Sequence, residues 1–255
     1  MTRVVDAKDE LLRVREVTIS YPTENGLFTA VENVTFSVGR GEKFVLLGPS
    51  GCGKSTLLKA IAGFIAPARG TVELDRHAVT SPGPDRVVVF QEFDQLLPWK
   101  TVLGNVMYPL RVARRMHEAA ARSEAGRFLG MVGLDRFADS YPHQLSGGMK
   151  QRAAIARSLA LDPAMLLMDE PFASLDALTR RKMQEELLGI WEATGKTILF
   201  VTHSIQEAVV LGDRILVLSP GPGRVRRLLD NPAAGQRDTE ASLKIQRAVQ
   251  EVLGE

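Results

Sequence analysis

Gly48-Pro-Ser-Gly-Cys-Gly-Lys-Ser55 follows the wholly apolar run Phe44-Val-Leu-Leu47 and leads directly into Thr56-Leu-Leu-Lys-Ala-Ile61. The apolar run has the length and character of a buried parallel strand. Leu57, Leu58 and Ile61 fall on one face of a helix that starts at Lys54 and stops near Gly63. The octet between them fits G-x-x-x-x-G-K-[ST] in the strand-to-helix setting which that pattern requires. Its glycines let successive backbone N–H groups curl around phosphate oxygens, and the helix N-terminus adds a favourable dipole. Lys54 is placed to bridge β- and γ-phosphates, and Ser55 to offer its hydroxyl to Mg²⁺. Cys52 reads as a small tolerated side chain rather than a catalytic thiol, although alkylation there is expected to block nucleotide entry.

Outward from this loop, Val14-Arg-Glu-Val-Thr-Ile-Ser20 and Val34-Thr-Phe-Ser-Val38 alternate as strands of an N-terminal antiparallel sheet. Val87-Val-Val-Phe90, Met165-Leu-Leu-Met168, Ile198-Leu-Phe-Val201 and Ile215-Leu-Val-Leu218 are further buried strands. Helical patterns between them predict a right-handed α/β core. From about residue 92 to 157 the chain is rich in Ala, Arg, Leu and Glu without a β run, which predicts an inserted helical subdomain. The ATPase-type domain is thus expected over residues 1–230. A tail over 231–255 carries one short helix, about residues 239–253.

The 255 residues are enough for one large domain or a domain with a subdomain. Thirty-two basic against 30 acidic residues leave no overall basic bias towards nucleic acid. One cysteine excludes an intramolecular disulfide and fits a reducing compartment. The first residues lack the apolar stretch of a secretory signal, and no apolar run approaches the roughly 18 residues that span a bilayer. A membrane role is therefore expected to run through a partner.

Asp169 and Glu170 end the Met165–Met168 strand. Asp169 is expected near Mg²⁺ and Glu170 beyond it, as general base for the attacking water. Tyr21 directly follows the first strand and reads either as an adenine-stacking ring or as a surface tyrosine. Gln91 ends the Val87–Phe90 strand, where its amide oxygen could reach the metal. His203 lies on a strand-to-helix turn, just before the capping box Ser204-Ile-Gln-Glu207, and is a candidate γ-phosphate ligand. Ser146, Gly147 and Gly148 open a second helix suited to an anion. One ATP cannot occupy two phosphate sites of one chain. A homodimer resolves this, with Ser146 of one subunit closing on the ATP held by Lys54 of the other.

This set resembles the ATP-binding-cassette (ABC) ATPases over roughly residues 11–230. It comprises Tyr21, residues 48–55, Gln91, residues 146–148, Met165-Leu-Leu-Met-Asp-Glu170, Ser174-Leu-Asp176 and His203. The resemblance implies a P-loop NTPase core with an N-terminal antiparallel β subdomain and an inserted α-helical subdomain. It implies nucleotide contacts from Tyr21, Gly48, Pro49, Ser50, Gly51, Cys52, Gly53, Lys54, Ser55 and Thr56. Metal contacts are implied from Ser55, Gln91 and Asp169, with catalysis by Glu170, His203 and Gln91. Asp176 is implied at the dimer interface, with Ser146, Gly147 and Gly148 acting in trans. Within the family the chain looks like ATP-binding subunits of nitrate, sulfonate and taurine importers. Pro84-Asp-Arg-Val-Val-Val-Phe-Gln91, Leu96-Leu-Pro-Trp99 and Ser219-Pro-Gly-Pro-Gly-Arg-Val225 carry this finer match. Met149 stands where the signature often has Gln, and Gly221 where many members carry a basic residue.

That resemblance implies a peripheral ATPase on the cytoplasmic face of the membrane. Its partners are integral permease subunits and, indirectly, an extracytoplasmic solute-binding protein. Phe93, Leu96, Leu97 and Trp99 read either as helical-subdomain core or as a groove for the permease. The alternatives are cassette ATPases of DNA maintenance or translation. The first kind inserts a long coiled coil between phosphate loop and signature, and the second carries two copies of every motif. This chain has only residues 64–144 in that interval, and one copy of each motif.

Overall fold

The computed structural model describes residues 9–24, 26–90, 95–173 and 175–254. Its elements begin with β1 (Glu10–Thr23), β2 (Gly26–Gly39), β3 (Lys43–Leu47), α1 (Lys54–Ala62), β4 (Arg69–Leu74), β5 (His77–Ala78) and β6 (Arg86–Val89). Next come α2 (Val102–Val112), α3 (Glu118–Met131), α4 (Gly147–Ala160), β7 (Met165–Asp169) and α5 (Ala177–Thr194). The chain closes with β8 (Thr197–Thr202), α6 (Ile205–Leu211), β9 (Arg214–Leu218), β10 (Val225–Asp230) and α7 (Glu240–Leu253). They form two compact units: the chain up to Gly83 with the chain from Lys196 onward, and Pro84–Gly195.

The first unit contains an antiparallel sheet of order β2-β1-β4-β5. Alternation reveals only the middle of β1 and the C-terminal part of β2. Ahead of Val14 the adjacent Leu11 and Leu12 are both buried, which breaks alternation. A bulge between Val14 and Val17 interrupts the recognised segment itself, where Glu16 has φ +48° and its N–H donates to Thr35 Oγ1 at 2.8 Å. A bulge re-phases which face each side chain meets, so alternation breaks across it. Beyond the C-terminal end of the recognised segment, β1 continues through Tyr21 to Thr23. Tyr21 is therefore inside the strand, opposite Phe28, rather than after it.

The second sheet of this unit has β3 paired in parallel with β8 on one side and β9 on the other. Phe44, Val45, Leu46 and Leu47 are completely buried, as are Ile215 to Leu218. Burial on both faces explains why these strands read as continuous apolar runs. Strand β10 caps the edge antiparallel to β9. Its sequence Val-Arg-Arg-Leu-Leu-Asp is mostly half-exposed, so no apolar run announces it. The expected C-terminal helix is α7, opened by a Thr239–Ser242 capping box.

Below β3 and β9, at their N-terminal ends, Arg214 is 5% exposed. Its guanidinium lies 3.1 Å from Glu42 and 3.9 Å from Asp230, and Lys43 pairs with Asp213 at 2.9 Å. Burial pushes the Glu42 carboxyl above its ordinary range despite the Arg214 guanidinium. Removing one partner of a buried pair leaves an uncompensated charge. Glu42→Ala should therefore cost about 3 kcal/mol, the lower end for such pairs because Asp230 remains. A urea-unfolding midpoint that does not move would remove this cluster from the stability account.

In the second unit β6 and β7 pair in parallel, Arg86 to Met165 through Val89 to Met168. Phe90 falls outside the strand, which ends one residue earlier than its apolar run suggests. The helical stretch is α2, α3 and α4, and α4 runs on to Ala160. Small buried residues, Ala121, Ala125, Ala153, Ala154 and Ala156, accompany Phe128 and Leu129 in the helical core. Asn105 is fully buried and binds the Leu97 N–H and the Leu97 and Lys100 carbonyls, which fixes the chain entering α2. Among the described residues no helix is long and apolar enough to cross a membrane.

Candidate functional site

In the first unit, residues 48–53 form the turn between β3 and α1. Gly53 is the helix N-cap in the left-handed region, φ +96°, and Gly63 ends the helix at φ +84°, conformations that glycine adopts without a Cβ penalty. Lys54 is only 4% exposed. Its ammonium donates to the carbonyls of Gly48 at 2.8 Å and Pro49 at 2.9 Å. Among the described residues no carboxylate pairs with it. Ser55 and Thr56 follow on the first turn of α1.

Cys52 is completely buried, and burial pushes its thiol pKa up. Reagents meet a thiol that is neither exposed nor readily ionised, so the expected alkylation block has to wait on movement of the loop.

Strand register places His203 beside the loop's own edge. Leu47 pairs with Thr202, so Gly48 and His203 both leave the C-terminal edge of neighbouring parallel strands, the edge where α/β folds bind ligands. His203 is exposed. The capping box behind it is closed through a third residue. Ser204 Oγ accepts from the Glu207 N–H at 3.3 Å, while the Ser204 N–H donates to Thr202 Oγ1 at 3.0 Å. The Thr202 hydroxyl donates to the buried Glu207 carboxylate at 2.6 Å. Thr202 thereby locks the turn that presents His203, a role visible in sequence only as a hydroxyl at a strand end.

In the second unit Asp169 is the last residue of β7 and Glu170 the next. Glu170 has φ +43°. A non-glycine residue in that region, ahead of Pro171, is a strained position of the kind that concentrates at functional sites. Gln91 and Phe93 lie outside the described residues, as does Ser174. The last described residue before Gln91 is nevertheless well held. The Phe90 N–H donates to Gln95 Oε1 at 3.2 Å, and Gln95 Nε2 donates to the Phe90 carbonyl at 3.1 Å. Gln95 thus imitates a strand partner, which nothing in its local sequence foretells.

Ser146 is the N-cap of α4, its Oγ accepting from the Met149 N–H at 3.3 Å. Asp176 is the N-cap of α5 and accepts from the N–H groups of Leu178 and Thr179. The hydrogen bonds from Thr179 hold its carboxyl below the usual range. These two helix starts are brought together: a Cβ on Gly148 would meet Thr179 Cγ2 at 3.5 Å. That is ordinary contact, so packing alone does not require glycine at 148. Beside Asp176, Leu178 is 80% exposed. Of the apolar residues after Gln91, Leu96 is core while Trp99 is 70% exposed.

Residues 31–173 match the sequence profile of the ABC transporter family. A taurine import ATP-binding protein of Rhizobium johnstonii is 50% identical over 219 residues, covering 84% of this chain and 82% of the relative. A nitrate import ATP-binding protein of Synechococcus elongatus is 43% identical over 233 residues, covering 91% and 85%. Among solved structures, a dimeric ATP-binding cassette in a post-hydrolysis state with ADP and Pi superposes with a TM-score of 0.76 at 36% identity, covering 86% and 98%.

Proposed function

The chain belongs to the ABC transporter family, and from that premise we propose that it is the ATP-hydrolysing subunit of an importer. Its permease would carry a small anionic or polar solute of the nitrate, sulfonate or taurine kind; two of its relatives are named for taurine and nitrate import. The carrying observation is Lys54. A buried lysine held by loop carbonyls, with no carboxylate partner among the described residues, is a cation waiting for an anion, because an isolated buried charge is costly. A triphosphate supplies that anion at the one loop whose backbone suits it.

The other residues then take these roles. Tyr21 stacks on the base, and residues 48–56 bind the phosphates. Glu170 takes a proton from the water that attacks the γ-phosphorus, as the bond to the bridging β–γ oxygen breaks and ADP departs. His203 donates to the γ-phosphate, and Gln91 senses it. Ser146, Gly147 and Gly148 act on the ATP of a second copy, with Asp176 at the same interface; a dimeric cassette is among the structural neighbours. A Mg²⁺ ion bound with substrate phosphates needs only one or two protein oxygens. No group of three or more His, Cys, Asp or Glu gathers among the described residues. Ser55 and Asp169 are hard oxygen donors of the right kind and number. When bound, the ion would neutralise charge on the phosphates. In this reading the subunit sits peripherally on the cytoplasmic face of the membrane. It is a homodimer beneath its permease, with an extracytoplasmic protein delivering the solute.

Lys54→Ala tests the carrying observation. Loss of a charge-assisted contact to phosphate should weaken binding of a fluorescent ATP analogue by about ten- to a hundredfold. Unchanged affinity would show that this loop does not hold the phosphates.

A further inference from the structure

Gly223 is a point where three backbones of the first unit meet. Its N–H donates to the Ala30 carbonyl at 2.9 Å, and its carbonyl accepts from the Glu32 N–H at 3.0 Å. It therefore runs beside β2 as a parallel bridge to Val31. On its other side a Cβ would lie 2.1 Å from the Cys52 carbonyl oxygen. Only the absence of a side chain allows that approach. The phosphate loop closes on the same stretch of β2, since a Cβ on Gly53 would lie 2.6 Å from the Ala30 oxygen and 2.6 Å from Val31 Cγ2.

The segment carrying Gly223 is tied at its ends. The Ser219 N–H donates to the Arg224 carbonyl at 2.9 Å, and the Arg224 N–H donates to Ser219 Oγ at 3.0 Å. The Arg224 guanidinium pairs with Glu32 at 2.7 Å. Residues 219–224 thus form a closed strap lashed to β2, and the strap's inner surface is the Gly223 backbone against Cys52.

We infer that Gly223 is a positioning residue for nucleotide binding: the strap presses Cys52 and Gly53 against β2 and holds the phosphate loop in its binding shape. This rests on the reading that residues 48–56 bind the phosphates. Backbone N–H groups grip an anion only when they converge, and a loop that must be ordered at binding loses affinity. The strap does this ordering in advance, and Gly223 does so without touching the ligand. Gly221 provides the internal control. A Cβ there would lie 3.7 Å from the Gly51 oxygen, an ordinary contact.

The test uses the full chain with its single cysteine, Cys52, as a reporter of loop position. Gly223→Ala, Gly221→Ala and Lys54→Ala are compared for affinity towards a fluorescent ATP analogue, for KM and kcat, and for the rate at which a thiol reagent labels Cys52 without nucleotide. Gly223→Ala should weaken binding by about ten- to a hundredfold, the consequence of overpacking a tight contact. It should raise KM more than it lowers kcat, and it should speed Cys52 labelling. Gly221→Ala should change none of these. The double variant Ser219→Ala with Arg224→Ala loosens the strap without inserting an atom, and should move affinity and labelling the same way. That arm also decides the matter if Gly223→Ala fails to fold. Wild-type affinity and labelling in Gly223→Ala, or in the double variant, would overturn the inference, as would equal effects from Gly221→Ala. Failure of the underlying reading shows separately, as Lys54→Ala binding nucleotide like wild type.

Discussion

Glu170→Gln should bind Mg-ATP with near-normal affinity and hydrolyse it about 10²–10⁴ times more slowly, the usual range for loss of a general base. The amide keeps the size and shape of the carboxylate, so the constrained backbone at φ +43° needs no readjustment. The side chain can no longer accept a proton from water. Every group proposed to touch phosphate, Lys54 and the loop glycines among them, is untouched by the change. ATP should therefore bind and stay bound, and the protein should accumulate as a dimer in gel filtration only when ATP is present. The combination separates this role from a structural one. A merely destabilising change at a strand end would weaken affinity and turnover together. Near-normal turnover without an ATP-dependent dimer would remove Glu170 from the chemistry.

The parts of the fold legible from sequence are those whose physics is local. The phosphate loop is legible because it works through backbone N–H groups, which demand glycines at fixed spacing between a strand and a helix. Helix α7 is legible because its Thr239 cap and amphipathic pattern are both written in consecutive residues. Strands β3, β8 and β9 stand out because burial on both faces makes them continuously apolar. What escaped depends on partners distant in the chain. The 14-residue length of β1 is hidden where the adjacent Leu11 and Leu12 are both buried and alternation fails, and β10 is an edge strand with an exposed face. The Ser219–Val225 stretch was distinctive in sequence, but nothing local reveals that Gly223 meets Cys52. Thr202 and Gln95 likewise carry their roles in hydrogen bonds that no spacing rule records.

If Ser146 acts on the ATP of the opposite chain, as proposed, Ser146→Arg should leave the nucleotide affinity of the monomer nearly intact and abolish hydrolysis. The side chain it replaces caps α4, and cap loss costs about 1 kcal/mol. That is too little to unfold a domain of ordinary stability. Activity should therefore vanish in a protein that still folds and still binds ATP. Mixing this variant with Lys54→Ala then gives the decisive result. A mixed dimer pairs the intact Lys54 of one chain with the intact Ser146 of the other, and so carries one complete site beside one doubly defective site. With random exchange at equal amounts, half the dimers are mixed, and activity should reach about a quarter of wild type if the sites fire independently. Action in cis makes the opposite forecast, since each chain then carries its own dead site and no mixture recovers. ATPase rate against mixing ratio should accordingly rise to a maximum at equal amounts and fall to zero at both ends. If fluorescence transfer shows that subunits exchange while activity stays at zero throughout, the independent composite sites proposed here do not exist.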